Sequence, residues 1–237
     1  MNSKAFLLAS LVPLLAGPAL ADGTLSDTAT SVLSFVDTSG TTSTSAGNDG
    51  TNVWTSMGGF TNSNLGQYDQ SGNPTALYQP GPDFRAVFSD SAGNLYSKSF
   101  GAGDVSSITA AGTATVLCTL AGSNSQSAAG FNAAETEIYT MSVGMIRRYT
   151  WPGCTFIAAI PLIGWGTMGN EAAFPDDFQM ETTGAGRILT YSAGTVSEWD
   201  LAGNRTGTCT IPIASPTGFL FKVVQLEDTH SDETTYE

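Results

Sequence analysis

Apolar and polar residues alternate along this chain in short runs broken by glycine. In LGQYDQSGN the side chains of Leu65, Gln67 and Asp69 point to one side of an extended strand, and Gly66 and Tyr68 to the other. The stretch EIYTMSVGMIRRYTWPG, Glu137 to Gly153, repeats in rhythm as RILTYSAGTVSEWDLAG, Arg187 to Gly203. Ile138 falls on Ile188, Gly144 on Gly194, Ile146 on Val196, Tyr149 on Trp199 and Gly153 on Gly203. Taking Leu33, Leu65, Val105, Ile146 and Val196 as anchors, a large apolar residue follows three positions later and a glycine seven positions later.

Each unit reads as a strand, a tight turn and a return strand. The glycine suits the positive-φ place of the turn, and an Asp or Thr before it can accept a hydrogen bond from a turn amide. A strand precedes each anchor in NVWTSM, NLYSKS, EIYTMS and RILTYS. Another precedes that one, opened by phenylalanine at Asp83-Phe84, Gly130-Phe131, Asp177-Phe178 and Gly218-Phe219. Four strands, A to D, at anchor spacings of 40, 41 and 50 residues give the period of a β-propeller blade. A β-sandwich has no reason to keep that period.

The predicted fold is therefore all-β, a propeller of four-stranded blades over residues 22–226, five-bladed or a fragment of a six-bladed ring. Leu33 to Gly40 reads as a C–D hairpin (about 30–47) completing the last blade, with strand A from Gly218. The spacing of 32 from Leu33 to Leu65 leaves the first unit only a short or shared strand A within TTSTSAGNDG. The acidic tail, 227–237, reads as disordered.

Composition adds location. Lys4, the apolar run Ala5 to Leu20 and the small-x-small triplet Ala19-Leu20-Ala21 form a secretory signal over residues 1–21, with cleavage near Ala21. The run is short for a bilayer and carries Pro13, Gly17 and Pro18, so no membrane span is expected. The chain has 8 basic against 21 acidic residues, a net charge of −13, which repels a phosphate backbone and excludes nucleic acid as a partner. Three cysteines, Cys118, Cys154 and Cys209, allow at most one internal bridge. Because Cys118 and Cys209 hold matching repeat positions, no structural disulfide is expected.

The stretch SAGNLYSKS, Ser91 to Ser99, resembles the strand-turn-strand "DxxGNLYV" of secreted NHL-type and SMP-30/gluconolactonase-like propellers, here beginning at Asp90. The resemblance covers most of residues 30 to 226 as architecture. It implies a propeller; enzymes of that superfamily hold a divalent metal in the central channel with Glu, Asn and Asp ligands.

In a propeller the A strands line the axis, and the D–A and B–C connections share one end. The glycines and Asp37, Asp69 and Asp200 fall at the other end, as turn-builders. The insertion IGWGTMGNEAAFPDDF, Ile163 to Phe178, carries Trp165, Asn170, Glu171 and Asp177 to the D–A end. Asp83 matches Asp177, and Asn132 follows Phe131 in the blade between. The candidate ligand-binding face is thus Asp83, Asn132, Trp165, Asn170, Glu171 and Asp177. Asp83, Asp177 and Glu171 are candidate ligands for a divalent cation such as Ca2+. The plainer reading is that Asp-Phe opens a strand, with the carboxylate solvated or satisfying loop amides.

The single histidine, His230, lies in the acidic tail, which excludes Ser-His and Cys-His nucleophile systems in the core. Phosphate-loop and dinucleotide fingerprints are missing too. The expected function is a secreted, monomeric binding or interaction module for a small molecule, glycan or protein. A metal-dependent lactonase-like hydrolase is the alternative, followed by a five-bladed glycoside hydrolase, which needs two carboxylates about 5–10 Å apart.

Overall fold

A computed structural model describes residues 35, 37–40, 43–59, 63–132, 134–142, 144–166, 179–182, 188–192 and 195–210. All regular structure among them is strand. The first sheet holds β1 (Ser43–Asn48), β2 (Val53–Met57), β3 (Ser63–Tyr68) and β4 (Pro74–Gly81) in that order. The second holds β5 (Phe84–Ser89), β6 (Leu95–Ser99), β7 (Asp104–Ile108) and β8 (Ala114–Thr119). The third holds β9 (Ala129–Phe131), β10 (Glu137–Ser142), β11 (Met145–Thr150) and β12 (Phe156–Pro161). The fourth holds β13 (Gln179–Thr182), β14 (Ile188–Ser192), β15 (Thr195–Trp199) and β16 (Arg205–Thr210). Every pairing is antiparallel, and the innermost strands adjoin in the order β1, β5, β9, β13. This is a β-propeller, with four blades among the described residues. No helix among these residues is long and apolar enough to cross a membrane.

The anchors Leu65, Val105, Ile146 and Val196 lie on the third strand of each blade and are 0–2% exposed. The residue three places on, Tyr68, Ile108, Tyr149 or Trp199, is buried as well. Middle strands carry the core; outer strands are largely exposed, with Leu77, Val116, Leu117, Phe156 and Ile157 facing water. Each outer strand joins its neighbour with a register shift, which bends the edge away from pairing with other chains.

Opposite each anchor stands one outer-strand residue: Tyr78, Cys118, Ile160 or Cys209. In the first three blades it meets the C–D turn of the next blade. Gly112, at φ 73°, lies against the Tyr78 ring, and Gly203, at φ 83°, lies against Ile160 and the Pro161 carbonyl. A Cβ at either turn would clash with that neighbour. At the junction of the second and third blades the same contact is covalent: Cys118 is bonded to Cys154, with Cα atoms 5.8 Å apart.

That bond corrects the expectation of no disulfide. Comparing Cys118 with Cys209 compares two outer strands, whereas the partner of an outer strand is the following turn. The third turn differs accordingly. In three turns the amide of Asp69, Thr109 or Asp200 bonds the carbonyl four residues on; in the third, Thr150 reaches five residues on, to Thr155. The positive φ there belongs to Cys154 (49°) rather than to Gly153.

The first unit also departs from expectation. Ser43–Asn48 is a full six-residue strand A, overlapping the hairpin read over about 30–47. Phe35 packs on Tyr68, ring centroids 4.6 Å apart, and against Gly72. It stands where Tyr78 stands against Gly112, the place of a preceding blade's outer strand rather than of a C–D turn. Leu33, the signal segment, the strand read from Gly218 and the acidic tail lie outside the described residues.

Cys118→Ser is expected to lower the unfolding free energy by about 2–4 kcal/mol, the usual worth of a bridge closing a loop of this kind. Urea melts of the variant and of the reduced protein check it, and both midpoints should fall together.

Candidate site at the D–A end of the blades

Asp83 ends the connection from β4 and Arg85 is the second residue of β5. The pairing is bidentate: Arg85 Nε donates to Asp83 Oδ1 at 3.0 Å and Nη2 to Oδ2 at 2.8 Å. The Gly59 amide, in the B–C connection of the first blade, donates to the same Oδ1 at 2.9 Å. Arg85 Nη1 reaches the third blade, donating to Gln126 Oε1 at 2.7 Å, and its guanidinium lies 4.6 Å over the Phe100 ring. Arg85 is buried, so this pair ties three blades together at one end.

Lys98, near the end of β6, is fully buried beside it. Its Nζ donates to the Asn124 carbonyl at 2.7 Å and lies 3.5 Å from the Ser125 carbonyl. Among the described residues no carboxylate pairs with it. Register shows how unusual the position is. Ser56, Lys98, Met141 and Tyr191 each pair with the anchor of their blade. Ser56 and Met141 are as buried as Lys98. Burial, reinforced by the positive charge of Arg85, pulls the Lys98 ammonium down to about 7.

Both cations hold one segment, the connection from Leu120 to Ala128 that joins β8 to β9. It is braced internally by Gln126 N donating to Asn124 Oδ1 (2.7 Å) and by Ser127 Oγ, 2.8 Å from Thr140 Oγ1. The connection leads directly into β9, the innermost strand of the third blade.

Of the six candidate residues read from sequence, three are described, and Asn132 does not join Asp83 here. Asp83 is present but committed to Arg85 and Gly59, as the plainer reading of Asp-Phe has it. Asn132 lies at the opposite end, in the A–B turn of the third blade, where its Oδ1 accepts the Thr136 and Glu137 amides, each at 2.9 Å. Gly130-Phe131 closes strand A there, pairing with Ile138, whereas Asp83-Phe84 opens one. The count to the next strand was the available signal: seven residues from Phe131 to Ile138, against 11 from Phe84 to Leu95. Trp165 is half-buried and packs on Trp199, ring centroids 6.2 Å apart, beside Gly144. Asn170, Glu171 and Asp177 lie outside the described residues. Among the described residues, no three His, Cys, Asp or Glu side chains are grouped to hold a metal ion.

Arg85 and Lys98 were missed by pattern reading. In a chain with only 8 basic residues, a lysine or arginine inside a predicted strand is a signal, and aligning NLYSKS with EIYTMS sets Lys98 on Met141.

No family model matches the chain. No curated protein sequence matches it. Solved structures do. A protein of unknown function from Bacteroides thetaiotaomicron is similar at 11% identity and TM-score 0.53, over 69% of this chain and 42% of that one. Glutaminyl cyclase from Myxococcus xanthus is similar at 14% identity and TM-score 0.52, over 71% and 70%. A gluconolactonase from Xanthomonas campestris is similar at 12% identity and TM-score 0.46, over 69% and 60%. The chain spans less than two thirds of the length of the first and third of these. At such identities the likeness shows the fold alone, a β-propeller.

The depressed Lys98 gives stability a definite pH dependence. Between about 7 and the ordinary lysine value near 10.4, the unfolded chain binds a proton that the folded one does not, so stability rises with pH across that window. The slope from this group is at most about 1.4 kcal/mol per pH unit. Lys98→Met should remove it, as read from urea melts at pH 6, 7.5 and 9.

Proposed function

We propose that this chain is an exported β-propeller that acts as a binding or interaction module for a small molecule, glycan or protein. The observation that carries the reading is the state of Asp83. Both its carboxylate oxygens accept hydrogen bonds from Arg85, and one accepts the Gly59 amide as well. A metal-dependent lactonase-like reaction would need this carboxylate free to ligate a cation. Asp83, the one candidate ligand among the described residues, does not fit that group, because the Arg85 guanidinium already supplies the positive charge a cation would bring.

Export is supported from two directions. The leader-like first 21 residues are one, and the Cys118–Cys154 bond, which persists in oxidising compartments, is the other. The net charge of −13 fits a soluble extracellular or periplasmic protein with no nucleic-acid partner.

Added Ca2+ or Mn2+ at millimolar concentration is expected to leave the melting temperature unchanged, since a ligand that binds only the folded state must raise it. A rise of several degrees that disappears in Asp83→Asn, with lactone turnover lost in the same variant, would establish the hydrolase instead. For export, amino-terminal sequencing of protein recovered outside the cytoplasm should begin at Asp22.

A further inference from the structure

We propose that the Leu120–Ala128 connection is an acid-opened flap at the D–A end of the blades, with Lys98 as its trigger. The geometry comes first. Lys98 is a buried amine fastened to two backbone carbonyls of the connection, and Arg85 holds the same connection through Gln126. When Lys98 is neutral it fills its site as Met141 fills the equivalent site one blade on, and it keeps one hydrogen bond to the Asn124 carbonyl. When it gains a proton, a full charge sits in a buried site that no carboxylate of the described residues pairs with, close to the guanidinium of Arg85.

The charged groups around it are few. From β5 comes Arg85, already paired with Asp83. From β7 comes Asp104, whose carboxylate accepts the Thr119 hydroxyl. Neither the connection itself nor β9 contributes an ionisable side chain. Nothing among these compensates a second cation.

Linkage then sets the direction of the switch. Lys98 binds its proton more weakly when buried, at about 7, than it would in water. Acid therefore favours whichever state exposes the amine. Exposing it means lifting Asn124 and Ser125, because these residues cover Nζ. The connection runs straight into β9, so lifting it uncovers the end of the innermost strands. That this end is the ligand-binding end rests on the reading above; the opening is a property of the free protein and is measured without a ligand.

The test is amide hydrogen exchange of the full chain at pH 5.5 and pH 8.5, corrected for intrinsic rates, following residues 120–128. In the native protein their protection is expected to be at least about tenfold lower at pH 5.5, with the strands of the third blade unchanged. Lys98→Met, which copies the residue of the neighbouring blade, should be protected equally at both values. Equal protection in the native protein at the two pH values would overturn the flap. So would an acid effect of the same size in Lys98→Met, since the trigger would then lie elsewhere. If Lys98→Met fails to fold, Lys98→Arg serves. A permanent charge there should leave 120–128 open at both pH values, and protection at pH 8.5 would refute the proposal.

Discussion

The contact between one blade's outer strand and the next blade's C–D turn governs how this molecule holds together. A single blade has two faces to bury and cannot do so alone. Here the burial is organised by register. In the first three blades the outer-strand residue opposite the anchor is set against the following turn, as Tyr78 against Gly112 and Ile160 against Gly203. Turn glycines are thus required twice, for their positive φ and for the absence of a Cβ where a neighbour's side chain arrives. The disulfide is the same contact in covalent form, which explains why the one turn that widened did so at Cys154.

Much of the architecture was legible because strand and turn are written locally. Alternation across Leu65 to Asp69, a carboxylate four residues before Asn73, and the glycine between them encode one hairpin. The structure confirms that chemistry: Asp69 Oδ1 accepts the Ser71 and Asn73 amides, each at 2.9 Å. What was misread depended on contacts between repeats. Phe131 and Phe84 look alike in sequence, yet one ends a strand and the other begins one. Only distance to the neighbouring strand separates them. The Cys118–Cys154 pairing was hidden for a related reason, since it joins unlike positions of consecutive blades.

The candidate site was legible only in part. Asp83 was picked out as a residue before Phe84, but its partner Arg85 lies two residues on and was passed over. Between them sits the reason: alternation sends Asp83 and Arg85 to the same side of an extended chain, so a carboxylate and a guanidinium at this spacing can close on each other. Alternation was used to find cores and was not applied to charges. In a chain this poor in cations, buried basic residues carry more information than exposed acidic ones.

The two buried cations also divide their labour according to chemistry. A guanidinium stays protonated at any pH the folded chain meets, offers a planar fork to a carboxylate, and stacks on an aromatic ring. Arg85 uses all of these with Asp83, Gln126 and Phe100, which makes it a permanent tie between blades. An amine loses its proton readily when buried and needs less to satisfy it once neutral. Lys98 sits where a neighbouring blade has Met141, and a methionine there would complete the core with no polar atom to satisfy. Placing an amine at that position gives up stability as the pH falls from the ordinary lysine value toward about 7, without improving the packing. A residue that weakens the fold in this way, beneath the connection to the innermost strand, is better explained by a demand on that connection than by a demand of the blade.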